Sequence, residues 1–535
     1  MTMNCGERVS MRHTALTLLI CSLLQGSDLL AKDALVFRNA TIYDGGGAPP
    51  VIGHVSIDKG KITSLGQGDG PEATWVIDAK GLVIAPGFID LHTHSDPSVT
   101  SVNSRACTNY IMQGCTTSVT GNCGSGPVDV ADYYKKINTP GAGTNVAHLL
   151  PQGSLRSQVV GSENRKPTPE ELAKMRALAK KAMDDGAWGM STGLIYLPGS
   201  YSSTEELIEI ASEIAAGGGF YASHIRGEAS TLLPSVLEAI EIGEKAGCPT
   251  HISHIKAADT PNWGSIGQAI ALIETAQRKG LKVTADQYPY TAFSTTLEPT
   301  IFPNWARSGG RKELIARLND PEAGPKIREE VAREIKTSDD GRQIVISSCS
   351  RYPQYVGKNL YEIGQMDKIT ATEAVEKITR AGGARIVKFA MSEDDVRTAM
   401  TYPWVATASD ASAGLPTADR PHPRGYGTFP RKIGHYAIRE QVISLEHAIR
   451  SATGLPADIL GFKDRGYLKT GYAADIVVFD PQSFIDKATF EEPYQYAEGM
   501  QYVLVNGTMA VYKGTPTGAL AGRALQKNAD QKTAK

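Results

Sequence analysis

The apolar run "LVIAPGFID" closes on Asp90, and Leu91, His92, Thr93 and His94 follow it. Side chains two apart on an extended strand share a face, so His92 and His94 leave one strand end together. Two adjacent imidazoles suit a divalent transition metal. Other β-rich runs end on ligand-type residues in the same way: "FYASH" on His224, "THISH" on His254 and "WVATASD" on Asp410. Cys123, in "TTSVTGNCGSGP", adds a soft donor that a metal would deprotonate. Arg226 and Lys256 each trail a candidate ligand by two residues, which predicts an anion-binding cation in the metal's cavity on each of two strands. His251 lies an odd number of residues from His254 and reads as structural, facing away. Taken singly, a strand histidine is ordinary hydrogen-bonded core, a terminal aspartate an N-cap and a buried cysteine a small hydrophobe. Five ligand-type residues spread over several strand ends, with Cys123 added, exceed what those roles explain.

Such residues need strands that deliver them to one place. The middle of the chain alternates. Thr168-Pro169-Glu170-Glu171 is a capping box with proline at the first helical position, followed by Leu172, Met175 and Ala179 at helical spacing. "GAWGMSTGLIY" reads as a strand, and Ser203-Thr204-Glu205-Glu206 opens a helix that stops at Gly217-Gly218-Gly219. The strands "FYASHIRGE", "PTHISHIK" and "LKVTADQYPY" then alternate with the helices "LLPSVLEAIEIGEKAG" and "SIGQAIALIETAQRKG". Repeated units of this length predict a parallel sheet with helical crossovers. Functional residues at successive strand ends are what a closed barrel requires. Both ends of the chain look different. "ALVFRNATIYDG", "GHVSIDKGKITSLG" and "WVIDAKGLVIAPG" near the start, and "GYAADIVVFDP" and "QYVLVNGTMAVYKG" near the finish, are short β runs separated by turns. Neither group can stand alone, so residues 32–86 and 464–515 are expected to pair into one small β domain beside a barrel over residues 87–463. Residues 516–535 are expected as a tail.

At 535 residues the chain is long enough for a large barrel and a second unit. Its formal net charge of -2 gives no electrostatic reason for a nucleic acid or an anionic membrane as partner. Arg8 and Arg12 precede an apolar run from Ala15 to Leu24, too short to span a bilayer, so residues 1–31 read as a signal peptide and the protein as exported. Of the cysteines, Cys5 and Cys21 fall in that leader. Its removal leaves Cys107, Cys115, Cys123, Cys248 and Cys349, an odd set unlike a disulfide framework.

At this point the chain resembles the amidohydrolase superfamily and, within it, the N-acyl-D-amino-acid deacylase group. The matching stretches include "APGFIDLHTHSD", "GCTTSVTGNCG", "GSLRSQVVG", "GAWGMSTGLIYLPG", "YASHIRGE", "ISHIKAA", "TADQYPYTAFST", "HPRGYGTFPR" and "YVLVNG", spread from about residue 36 to 523. The cysteine in "GNCG" is the mark of this branch. The resemblance implies a (β/α)8 barrel with a β-sandwich from both chain ends, and an insertion over residues 291–348 covering the active site. It implies one tightly filled zinc position held by Cys123, His224 and His254. A second position would be surrounded by His92, His94, Cys123 and Asp410. It further implies Tyr196, Arg226, Lys256 and Ser294 around the substrate carboxylate, Tyr288 near the scissile carbonyl and Asp410 as general base in hydrolysis of N-acyl-D-amino acids. Gln152 in "LLPQGSLR", Ala411 in "SDAS" and the residues after Cys123 depart from the family pattern and bear on substrate preference, since no ligand is lost. The competing readings are an N-acyl-D-glutamate or aspartate deacylase, a cyclic-amide or dipeptide amidohydrolase, and a non-catalytic exported binding protein. The last is expected to have lost Asp410 or a ligand, and this chain keeps them.

Overall fold

The computed structural model describes residues Ala34 to Lys527, so the expected leader lies outside the described residues. The chain begins with β1 (Leu35–Ile42), β2 (Val51–Asp58), β3 (Lys61–Gly66), β4 (Trp75–Asp78) and β5 (Val83–Pro86). It then enters the barrel. The strands are β6 (Phe88–Asp90), β7 (Cys115–Thr120), β8 (Asn145–Pro151), β9 (Gly189–Gly193), β10 (Phe220–His224), β11 (Thr250–Ile252) and β12 (Val283–Gln287). A separate group follows, β13 (Ala292–Thr296), β14 (Ile344–Ser348) and β15 (Arg385–Phe389), before β16 (Val405–Thr407) returns to the barrel. The C-terminal part adds β17 (Ile476–Phe479), β18 (Met500–Val505), β19 (Thr508–Tyr512) and β20 (Thr515–Pro516).

Strands β6 to β12 and β16 form one parallel eight-stranded sheet in the order of the chain. Helices cross between most of these strands, as the alternating pattern requires. Thr168 makes both halves of the predicted capping box with Glu171, and Ser203 caps the next helix through Glu206 N–H. The first and last strands meet just past their ends. Asp410 N–H donates to the His92 carbonyl at 2.8 Å and His94 N–H to the Ala411 carbonyl at 2.7 Å. Barrel closure thus joins the two segments that carry His92, His94 and Asp410.

The two chain ends share one nine-stranded sheet, joined where β5 pairs antiparallel with β17. The sheet curls on itself. Phe37 of β1 meets Tyr502 of β18 edge to face at 5.7 Å although two strands lie between them, and both belong to one buried core with Ile57, Ile62, Val478 and Leu504. A single residue, Gly87, separates β5 from β6. A Cβ there would come within 2.2 Å of Thr116 Oγ1, so only glycine lets the chain step from sheet to barrel. Asp475, just before β17, accepts from Asn145 Nδ2 of β8 at 3.1 Å and also pairs with Arg465, pinning the sheet to the barrel. Part of the expected tail is ordered. Residues 522–525 pair with the start of β8 and its preceding loop, and Trp188 Nε1 donates to the Leu525 carbonyl at 2.7 Å.

The inserted unit is larger than the expected 291–348. Its sheet has β15 between β13 and β14, so it runs to Phe389, with a core of its own that includes Leu314, Ile327, Ile346, Val375 and Ile386. The central strand comes last in sequence, and β14 reads as the natural end of the unit until β15 is seen to complete it. Among the described residues no helix is long and apolar enough to cross a membrane.

Candidate metal centre and active site

The Cys123 thiol is the hub of the site. Its Sγ lies 3.2 Å from His92 Nε2, 3.6 Å from His224 Nδ1 and 3.8 Å from His254 Nε2. Asp410 Oδ1 lies 3.0 Å from His94 Nε2 and 3.5 Å from His92 Nε2. One donor atom each from His92, Cys123, His254 and Asp410 falls within 4.8 Å of all the others, and all four residues are buried. A tetrahedral zinc ion sets sulfur and nitrogen ligands about 3.5 Å apart. The three Sγ to imidazole separations bracket that value, so the thiol and its imidazoles lie at the spacing that zinc ligands take.

Local backbone geometry supports a functional assignment. Cys123 (φ 50), His254 (φ 38) and Asp410 (φ 51) all occupy the left-handed region. Such conformations cost on the order of 1–3 kcal/mol each, and they concentrate at functional sites where the surroundings impose them. Cys123 lies in a tight turn after β7 between Gly121 and Gly124, both at positive φ. His254 follows β11, and its N–H is held by Asp286 Oδ1 at 2.5 Å.

The imidazoles facing the thiol are each backed by a carboxylate, Asp286 buried and Glu228 partly exposed to the cavity. Asp286 Oδ2 lies 3.5 Å from His92 Nδ1. Glu228 Oε1 lies 2.9 Å from His254 Nδ1, and Glu228 Oε2 lies 4.0 Å from His224 Nε2. His251 also bonds Asp286 at 2.9 Å and Thr284 Oγ1 at 2.8 Å, consistent with a structural residue behind the site. Burial would raise the Cys123 thiol, but the His92 charge and hydrogen bonds from His224 and His254 hold it well below its ordinary value. Burial likewise opposes ionisation of Asp410, and Arg424, His254 and His92 outweigh it, leaving the carboxyl far below the usual range. The Tyr288 phenol is pushed up to about 12 by burial, against the pull of Lys256 and Arg424, and so keeps its proton at neutral pH.

A cavity of about 810 Å³ opens onto this cluster. His94, Cys123, His224, His254 and Asp410 reach it, and so do Tyr196, Lys256, Tyr288 and Ser294. The inserted unit supplies one wall, and Tyr196 Oη reaches across to Thr295 Oγ1 at 3.0 Å. Arg226 does not enter. Its guanidinium bonds Glu238 through Nε and Nη2 at 2.9 Å and donates to the Ser200 and Ser202 carbonyls, on the helix side of the strand. Strand β10 ends at His224, and the two-residue alternation that predicted a shared face stops with it. Lys256 does reach the cavity, with its ammonium 2.5 Å from Glu228 Oε1 and 3.0 Å from His254 Nδ1.

Arg424, Glu228 and Asp286 had no reading from sequence. Arg424 lines the cavity, 4.5 Å over the Tyr288 ring, with Nη1 2.8 Å from Asp410 Oδ2 and Nη2 donating to the Ser294 carbonyl at 3.3 Å. It lies inside the motif "HPRGYGTFPR", and Glu228 inside "YASHIRGE", but no spacing rule links either to a ligand.

A parallel eight-stranded barrel with a thiol, imidazole and carboxylate cluster at its strand ends defines a metal-dependent hydrolase of the amidohydrolase type. The chain belongs to the amidohydrolase family, whose profile matches residues 75–289 and 334–511. It is 35% identical to a D-aminoacylase of Alcaligenes xylosoxydans xylosoxydans over 518 residues, covering 92% of this chain and 98% of that one. A D-aminoacylase crystal structure, described as defining a novel subset of amidohydrolases, superposes with a TM-score of 0.79 at 32% identity, over 92% of this chain and 99% of that one. An N-acyl-D-glutamate deacylase from Bordetella bronchiseptica, complexed with zinc and a phosphonate inhibitor, also gives 0.79 at 31% identity, over 92% and 100%.

Proposed function

We propose that this enzyme hydrolyses the amide bond of N-acyl-D-amino acids, releasing a D-amino acid and a carboxylate. Zinc would be held tightly by Cys123, His224 and His254, with His92, His94 and Asp410 around a second position that shares the thiol. The observation that carries the reading is the Cys123 hub, with its imidazoles and Asp410, opening into a cavity that also presents Arg424. The D-aminoacylase and N-acyl-D-glutamate deacylase relatives support the substrate class and the metal. A zinc ion bound there supplies Lewis acidity at the scissile carbonyl and acidifies the attacking water. Asp410, kept ionised by its cationic neighbours, accepts the proton of that water and passes it to the leaving nitrogen. Tyr288, buried and protonated, donates toward the oxygen that gains charge. Arg424, beside Ser294, offers a planar fork for the substrate carboxylate, the role expected of Arg226.

One observation favours a narrower reading. Arg385, on β15, lines the outer cavity, and among the described residues its guanidinium has no ion-pair partner. An acidic D-amino-acid side chain would meet it, as in an N-acyl-D-glutamate or aspartate deacylase. The test is turnover of zinc-loaded enzyme on N-acetyl-D and N-acetyl-L forms of neutral and acidic amino acids. Rates on D forms at least about 100-fold above their L partners are expected. Equal rates on both hands reject the reading, and a preference for D-glutamate or D-aspartate selects the narrower one.

A further inference from the structure

We infer that Asp286 is a positioning residue for the metal centre: from behind the cluster it fixes His92 and the backbone of His254 in the arrangement that receives the ion. The inference rests on reading the Cys123 cluster as a zinc site. Asp286 ends β12, which lies between β11 and β16, the strands that lead to His254 and Asp410. It is buried, and it is not among the residues lining the cavity, so substrate does not touch it. Its two oxygens divide their work. Oδ1 accepts the N–H of His254 at 2.5 Å, and Oδ2 faces His92 Nδ1 at 3.5 Å and His251 Nε2 at 2.9 Å.

Each contact has a consequence for the ligands. His92 turns Nε2 toward Cys123 and Asp410, and its Nδ1 has no hydrogen-bond partner among the described residues. A carboxylate beside Nδ1 favours the tautomer with the proton there and the Nε2 lone pair aimed at the metal. His254 is held at φ 38, a conformation that an L-residue keeps only when its surroundings impose it. The Asp286 bond to its N–H is the contact that does so. The ordinary alternative is that Asp286 exists to satisfy His251. That accounts for part of Oδ2 and leaves Oδ1 and the approach to His92 unexplained.

Asparagine separates the two roles. Asp286→Asn keeps the size and can still accept the His254 N–H, but its amide presents N–H groups toward His92 and favours the wrong tautomer. We expect zinc affinity, measured by competition with a chromophoric chelator, to fall about 10–100-fold. The thiolate-to-metal absorption of the cobalt-substituted protein should shift, and KM at saturating zinc should stay within about twofold. His251→Gln should leave zinc affinity near native. Native zinc affinity in Asp286→Asn overturns the inference. So does an equal loss in His251→Gln, which would mean that Asp286 acts through His251. If Asp286→Asn fails to fold by circular dichroism, Asp286→Glu decides: it keeps the charge but moves it, and native affinity there also overturns the inference. A native protein that binds no zinc, or a Cys123→Ser variant that binds it normally, would reject the metal reading itself and not the role of Asp286 alone.

Discussion

At the scale of single residues, the site is a balance of buried charges. One thiolate and the carboxylates of Asp410, Glu228 and Asp286 face imidazoles, Lys256 and Arg424, so removing any one partner leaves another uncompensated. Asp410 combines a ligand-like position with a place on the cavity wall. Asp410→Asn preserves its shape and cannot take a proton. Turnover should fall by about 100-fold or more, while one zinc per chain stays bound at Cys123, His224 and His254. Unchanged turnover in that variant excludes Asp410 as the base. Arg226 makes the opposite case. Its partners are Glu238 and two backbone carbonyls, so Arg226→Ala should lower thermal stability and leave KM within about twofold. A large rise in KM with unchanged stability would return Arg226 to the substrate site.

At the scale of elements, the reading from sequence succeeded where periodicity carries the information and failed where it ends. The barrel strands and capped helices were legible because alternation, capping boxes and glycine stops are local signals. His92, His224 and Asp410 were legible because each closes or follows an apolar run, and Cys123 because a thiol is a soft metal donor. Arg226 was misplaced because alternation no longer fixes a side chain's side past the end of β10, and Glu238 with two backbone carbonyls draws its guanidinium away. Asp286 and Glu228 were missed because a carboxylate on a strand or loop gives no sign of which imidazole it will face. One helical turn also breaks a local rule. Lys432, in the π-helix Arg431–Arg439, is 1% exposed, and its Nζ has no partner among the described residues. Burial lowers its pKa from 10.5 to about 7. The folded pKa lies below the unfolded one, so between these values the unfolded chain binds the extra proton and stability rises with pH. Lys432→Met should therefore be the more stable protein near pH 7. Its advantage should shrink by about 1.4 kcal/mol per pH unit as pH rises toward 10.5, measured by urea unfolding at several pH values. An advantage independent of pH would show that lost packing, not charge, sets the difference.

At the scale of the whole molecule, the cavity belongs to no single part. The barrel supplies the metal cluster, the inserted unit supplies the wall with Ser294, Thr295 and Arg385, and the segment after β16 supplies Arg424. Lys388 of the inserted unit ties the wall down, lying 2.8 Å from Asp259 on the barrel and 2.8 Å from Glu334 on its own helix. A substrate held at the metal by its carbonyl and at Arg424 by its carboxylate is fixed at two points across these parts. Its α-substituent would then have two directions to take. Handedness would thus be set by the assembled cavity; the expectation that it favours the D form comes from the relatives. A carboxylate requirement is the expectation that Arg424 on the cavity wall raises. Arg424→Ala should lower kcat/KM by about 2–5 kcal/mol in transition-state terms, the scale for removing the partner of a buried charge. Arg424 also pairs with Asp410, so that loss mixes two roles, and the substrate separates them. With the native enzyme, N-acyl-D-amino acid amides, which lack the carboxylate, should be turned over poorly. With Arg424→Ala the acid and the amide should be turned over at similar low rates, because the group that told them apart is gone. If the variant still discriminates between acid and amide as strongly as the native enzyme, Arg424 serves Asp410 only, and the carboxylate is read elsewhere in the cavity.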